Sequence, residues 1–429
     1  MGYEGRWSQR KNRILDSILI VSLLLLIYAP AIDISGVLVK IYQLPMIVLA
    51  SLFILKRTSR QGINRHELCV FILSLVAILY AAIVVIYSEP RDTEIIEYLL
   101  YGIMLSMAAA MMTDIYKKQY INYKTKIIFH IYIVGVIHAV IMILLYLFDP
   151  IRYFVYDYLV LTKTGREFVE LNTRSPGLTT GGGAALSVVQ ATTLICGVFS
   201  VPPDKHLSFF DREGLKFIGG GSLILLSIVL SGRSGLVGII VFFGVLCLMY
   251  FRERKQVTKY IKNFLFLISG IFVIVMSYGY LFNDNSFDRN AKWAFEVYNN
   301  YRDTGEIRTK STDILLENMY FLPDDTADLL FGNSNLGRSD ELKYLSSDVG
   351  YVRLIHSVGI IGTMLVFLPF LYILFTAIKL RRDRLALIVT GLTLIMFVMN
   401  LKELFIVLVQ GWSFIYAMLT WALIGKIIK

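Results

Sequence analysis

Apolar runs of about 20 residues recur along nearly the whole chain, the length a helix needs to cross the hydrocarbon core of a bilayer. Twelve can be placed, at 14–30, 36–55, 68–87, 95–112, 127–148, 184–200, 216–231, 235–251, 263–282, 352–378, 384–400 and 404–425. The runs are too long and too continuous for barrel strands, which would be short and alternating, so helices are expected. Composition agrees: 56% of the 429 residues are hydrophobic, 17% are charged, and mean hydropathy is +0.64. The expected fold is an all-α polytopic membrane protein, one transmembrane domain over 1–429 with about twelve spans.

The net charge of +10 is an orientation signal rather than a nucleic-acid footprint. Basic residues gather in alternate connections: Arg6, Arg10, Lys11 and Arg13 before the first run, then Lys56, Arg57, Arg60 and Arg65, then Lys117, Lys118, Lys124 and Lys126, then Arg252, Arg254, Lys255, Lys259 and Lys262, then Lys379, Arg381, Arg382 and Arg384. All five groups fall on one side, which the charge rule assigns to the cytoplasm, with both termini inside. No small-residue cleavage site follows the first run, so it reads as a signal anchor. Cys69, Cys196 and Cys247 lie within apolar runs and form no C-x-x-C pair, which suggests neither a disulfide framework nor a zinc site.

Two long connections lie on the opposite side, at 149–183 and 283–351. Irregular backbone cannot face hydrocarbon, so both must fold outside the bilayer. The first carries Tyr153, Phe154, Tyr156 and Tyr158. The second carries Trp293, Phe295, Tyr298, Tyr301, Tyr320 and Phe321, with apolar residues at Ile314, Leu315, Met319, Leu329 and Leu330 near helical spacing. Short helices lying on the membrane surface are expected in both.

Three constellations on this outer side can carry chemistry. Asn172-Thr-Arg-Ser-Pro-Gly-Leu-Thr-Thr-Gly-Gly-Gly183 places Arg174 beside a helix start whose free N–H groups attract anions. Ser231-Gly-Arg-Ser-Gly235 holds Arg233 in a turn too tight to swing away. The third comprises Ser347, Asp348, Tyr351, Arg353 and His356, with Arg353 and His356 on one helix face and Asp348 placed either to cap that helix or to accept a proton. Arg338 and Tyr351 complete the candidate binding set. Lys402 and Glu403 occupy a short outer turn and are expected to pair or face water; His130 and His138 lie eight residues apart with no carboxylate near in sequence. There is no metal-spaced cluster, so neither metal nor cofactor is expected. Arginines converging in a lipid-embedded cavity are costly unless an anion balances them, and a lipid-linked pyrophosphate is an anion available at that depth.

The order and side of these motifs resemble those of the Wzy family of bacterial O-antigen and capsule polymerases, within the superfamily that includes the O-antigen ligases. The resemblance rests on Arg174-Ser-Pro-Gly177, Leu230-Ser-Gly-Arg-Ser-Gly235, Leu329-Leu-Phe-Gly-Asn333, Ser347-Asp348-Val-Gly-Tyr351-Val-Arg353 and Gly359-Ile-Ile-Gly362. The ligases have a histidine eleven residues before the first glycine of that last motif; here the position is Asp348, which favours polymerase. The resemblance implies a GT-C-type inverting glycosyltransferase in the bacterial inner membrane. Its donor and acceptor would be undecaprenyl-pyrophosphate-linked glycans, its arginines would bind the pyrophosphate, and a chain-length regulator protein is a possible partner. Asp348, Arg233 and Arg353 would be catalytic; Arg174, Arg233, Arg338, Arg353, Tyr351 and His356 would bind substrate. The alternatives are an O-antigen ligase and a non-enzymatic flippase or transporter of lipid-linked glycans.

Overall fold

The computed structural model describes residues 3–89, 91–171, 174–201, 211–250, 258, 260–269, 300–303, 305, 310–337 and 345–425. Its elements in order are α1 (Tyr3–Tyr28), β1 (Ala31–Ile34), β2 (Val37–Lys40), α2 (Gln43–Lys56), α3 (Arg65–Tyr87), α4 (Glu94–Gln119), α5 (Tyr123–Leu147), α6 (Asp149–Tyr158), α7 (Lys163–Glu170), α8 (Gly183–Ser200), α9 (Arg212–Ser231), α10 (Ser234–Tyr250) and α11 (Tyr260–Ser269). Then follow α12 (Lys310–Asn318), α13 (Thr326–Phe331), α14 (Gly350–Lys379), α15 (Arg384–Met399), α16 (Phe405–Leu408) and α17 (Gln410–Ile424). The protein is a helical membrane protein. Among the described residues six helices, α3, α4, α5, α8, α9 and α14, are long and apolar enough to cross a bilayer.

The expected spans need two adjustments. The run at 36–55 is helical only from Gln43, because 31–40 folds as an antiparallel hairpin. Its two-residue turn, Ser35-Gly36, has both residues at positive φ, the geometry that matches strand twist, and Asp33 Oδ1 accepts from Gly36 N at 2.7 Å. The run at 404–425 breaks at Val409 into α16 and α17, where Gly411 meets the Ile27 carbonyl and Gln410 donates to Leu26 O. The rest of the run at 263–282, beyond Ser269, lies outside the described residues.

One end of the bundle is a band of ion pairs. Lys56 and Arg57 meet Asp114, Arg57 meets Glu67, Lys124 meets Asp383, and Lys126 meets Asp16 at 2.9 Å. These pairs tie together the connections before α3, α5 and α15, and Lys117 reaches Gly425 O beyond α17. Three of the basic connections that the sequence places on one side, those at 56–65, 117–126 and 379–384, thus share one end of the molecule; the residues before the first run and at 252–257 lie outside the described side chains. Here Asn64 and Glu67 close a reciprocal cap on α3: Asn64 Oδ1 accepts from His66 N, and Glu67 Oε2 accepts from Asn64 N.

α8 is the central helix, with 83% of its apolar window buried against 33% for α3 and α4. It packs on α5, α9 and α10, and the small side of Gly235 makes the last contact possible. α15 and α17 are also lined with buried residues, so they are enclosed by protein rather than lipid. At the opposite end from the ion pairs, the short helix α6 exposes Tyr153, Phe154 and Tyr158. α12 is seated by Leu315 and Met319, which pack with Phe321 on Leu345, Val349 and Val352 at the start of α14.

α14 is two helical pieces in line. Gly359 sits at φ 67°, ψ −178°, which frees the carbonyls of the turn before it. Asn333 N donates to His356 O and Ser334 N to Ser357 O, both at 2.9 Å, so the loop after α13 fills the break.

Candidate functional site

Arg174 lies in the segment between α7 and α8, and that segment is clamped at several points. Ser175 N donates to Leu230 O at 3.0 Å at the end of α9, and Ser175 Oγ donates to Met142 O at 3.1 Å on α5. The Arg174 guanidinium lies over the Phe168 ring at 4.6 Å. Gly182 and Gly183, both at positive φ, turn the chain into α8. The next turn, Gly232 to Gly235, is pressed against this start. A Cβ on Gly232 would lie 3.2 Å from Gly183 O, and Gly235 N donates to Ser187 Oγ at 2.9 Å. The N-termini of α8 and α10 therefore stand side by side, with Arg233 at their junction. The peptide dipoles of both helices point their positive ends at this mouth.

The connection from α15 to α16 brings in a residue the sequence reading set aside. Lys402 Nζ donates to Ser234 Oγ at 3.1 Å, directly beside Arg233. It forms no ion pair with Glu403 among the described residues; of the two expected outcomes, pairing or facing water, its exposure matches the second. Although the Lys402 side chain is exposed, the surrounding protein partly desolvates its ammonium and lowers its pKa; Glu403 acts against this, Arg233 and Arg174 lower it further, and Asp348 opposes them. Burial, then Arg233, likewise depresses the Arg174 guanidinium. Arg174, Arg233, Lys402 and Asp348 therefore share one electrostatic neighbourhood. The sequence held one signal for Lys402: it is a cation in a short outer turn, against the charge asymmetry of the rest of the chain.

Asn400 fixes that turn. It is fully buried, its Oδ1 accepts from Phe405 N at 3.1 Å, its Nδ2 donates to Met396 O, and its carbonyl accepts from Tyr351 N. A Cβ on Gly350 would strike Asn400 Oδ1 at 2.6 Å, so the start of α14 is seated directly on the Lys402 turn.

The third constellation divides. Asp348 does not cap α14, whose first turn receives no side-chain cap; the Ser347 hydroxyl accepts from Val349 N at 3.1 Å, just before the helix. The Asp348 side chain is 66% exposed and lies 3.7 Å from Arg353. Arg353 itself is 5% exposed. Its Nε donates to Ser347 O at 2.5 Å and an Nη to Leu336 O at 3.3 Å, so much of its donor capacity goes to main chain. It reaches the cationic mouth through Asp348. Tyr351 points inward, donating to Phe397 O at 3.0 Å. His356 is buried against the edge of Phe321, and its Nε2 has no hydrogen-bond partner among the described residues. Arg338 lies outside the described residues.

No family model, no curated protein and no solved structure matches this chain.

Proposed function

We propose that this protein is a membrane glycosyltransferase that joins undecaprenyl-pyrophosphate-linked glycan repeat units into O-antigen or capsular polysaccharide. In this reading the chain crosses the bacterial inner membrane about twelve times, with the ion-paired end cytoplasmic and the cationic mouth outside. The observation that carries the proposal is the meeting of Arg174 and Arg233 at the paired N-termini of α8 and α10. Two guanidiniums and two helix dipoles suit a pyrophosphate, with no metal called for.

The acceptor hydroxyl attacks the anomeric carbon of the donor from the face opposite the pyrophosphate. The carbon–oxygen bond to the pyrophosphate breaks, and its electron pair stays on the leaving oxygen. Arg174 and Arg233 stabilise that charge where it develops. Asp348, exposed beside the mouth, takes the hydroxyl proton. The Arg353 guanidinium holds the Asp348 carboxylate and ties the loop at Leu336 and Ser347 to α14.

The test is complementation of a deletion strain. Arg233→Ala and Arg174→Ala should leave only single-repeat glycan at near-normal protein level, and Arg233→Lys should also perform poorly because it loses the fork. Full-length polysaccharide in Arg233→Ala cells would overturn the proposal.

A further inference from the structure

Lys402 is a cation with a fixed position and no carboxylate partner within ion-pair distance among the described residues. Its turn is locked by Asn400, and its ammonium is held by Ser234 Oγ, a residue that is itself buried. Two further cations, Arg174 and Arg233, act on it. Of the two carboxylates that act on it, Glu403 acts more strongly but lies beyond ion-pair distance, and Asp348 faces Arg353 at 3.7 Å. Three cations gathered beside two helix N-termini give a mouth that suits a multiply charged anion.

We infer that Lys402 is the third cation of the pyrophosphate site and that its charge is matched to the leaving group rather than to the bound donor. The inference rests on the glycosyl-transfer reading above. A glycosyl pyrophosphate is a diester and carries two negative charges. When the anomeric carbon–oxygen bond breaks, the electron pair remains on the terminal phosphate, which becomes a monoester. The second ionisation of a phosphate monoester lies near about pH 6, so a third negative charge is present at neutral pH. Arg174 and Arg233 balance the donor; Lys402 gains its counter-charge only as the bond breaks. An interaction that strengthens along the reaction raises turnover instead of merely tightening donor binding. A compact ammonium suits a single terminal oxygen, whereas the arginine forks suit bridged phosphates.

The experiment uses the full-length protein in lipid nanodiscs and two probes differing by one charge: geranyl pyrophosphate, a monoester, and its P2-methyl diester. Wild type should bind the monoester about tenfold more tightly than the diester, a difference that Lys402→Met removes while diester affinity stays within about twofold. Lys402→Arg should keep most of the preference, and thermal melting of both variants should match wild type, which separates charge loss from misfolding. If Lys402→Met weakens both probes equally, or leaves the monoester preference intact, the leaving-group assignment of Lys402 is wrong while the pyrophosphate site stands. If wild type binds neither probe, or Arg233→Met binds both as well as wild type, the glycosyl-transfer reading fails first and the Lys402 role with it.

Discussion

The main-chain N–H of Leu178 donates to Nε2 of His138 at 3.2 Å, and this contact hangs the Arg174 segment on the middle of α5. The imidazole is fully buried, stacked on Tyr28 with ring centroids 3.5 Å apart, and its Nδ1 meets the Gln190 side chain at 2.9 Å. Gly177 must be glycine here: its φ is +59°, and a Cβ would lie 2.6 Å from His138 Nε2. Non-helical backbone at this depth is tolerated because it is enclosed by protein and its polar groups are met.

His138→Phe should therefore separate folding from function. The phenyl ring keeps the stack on Tyr28 but cannot accept from Leu178, which leaves that N–H unmet at a cost of about 1–3 kcal/mol. The expected outcome is protein inserted at near-normal level, with polymer output down about tenfold or more as the Arg174 segment loosens. Normal glycan length in this variant would mean that the loop holds its position without the histidine.

The junction of Gly332 with Gly359 sets a stability prediction. A Cβ on Gly359 would lie 2.3 Å from Leu330 O, and φ is +67°, so alanine brings both a backbone clash and a disfavoured conformation. Gly359→Ala should lower the melting temperature of the purified protein by several degrees or prevent its recovery. Gly102→Ala in α4 is the control, because nothing lies within 4 Å of the added atom and alanine favours helix. Equal melting of the two variants would show that α14 can close its break in another way.

The described helices were legible because their apolar runs exceed what any other spanning structure could use, and the shared end of the connections at 56–65, 117–126 and 379–384 emerges as the Lys124–Asp383 and Arg57–Asp114 contacts. The hairpin at 31–40 was not, because Val37, Leu38 and Val39 extend an apolar run that helix and strand share equally. Arg174 and Arg233 could be picked out beside glycines, but their meeting depends on Ser175 reaching Leu230 across 55 residues of chain. For Arg353, spacing gave the shared face with His356 and said nothing of the Ser347 and Leu336 carbonyls that occupy its donors. Lys402 was missed because its sequence neighbour Glu403 offers a local partner, while the fold sends the ammonium to Ser234 instead.

Lys402 also predicts the alkaline limit of activity. An ammonium is charged below its pKa, and here desolvation, reinforced by Arg233 and Arg174 over the opposing Glu403 and Asp348, moves that pKa below its ordinary 10.5. The charge is therefore lost earlier as pH rises, and kcat should fall on the alkaline side before pH 10.5. A guanidinium stays charged throughout this range, so Lys402→Arg should move the limb upward. A pH–rate profile of both proteins checks this; an unmoved limb would assign the loss to another group.

Asp348 and His356 give the last prediction, on the identity of the base. The carboxylate is exposed, held 3.7 Å from Arg353, and sits in the field of Lys402, so it can meet an acceptor hydroxyl at the mouth. Asp348→Asn keeps the size and the contact with Arg353 but cannot take a proton, and the Asp348 side chain makes no cap bond to α14, so helix stability should be untouched. Turnover should then fall by about a hundredfold or more with little change in donor KM, the signature of a group needed in the transition state. His356 is enclosed beside Phe321, and its main-chain carbonyl is bound by Asn333, so it serves the seam at the helix break rather than the mouth. His356→Gln should lower melting temperature modestly and leave kcat within about threefold. Steady-state kinetics on both variants decides the matter: a tolerated Asp348→Asn together with an inactive, fully folded His356→Gln would transfer the base to the histidine and bring the enzyme nearer to the ligases.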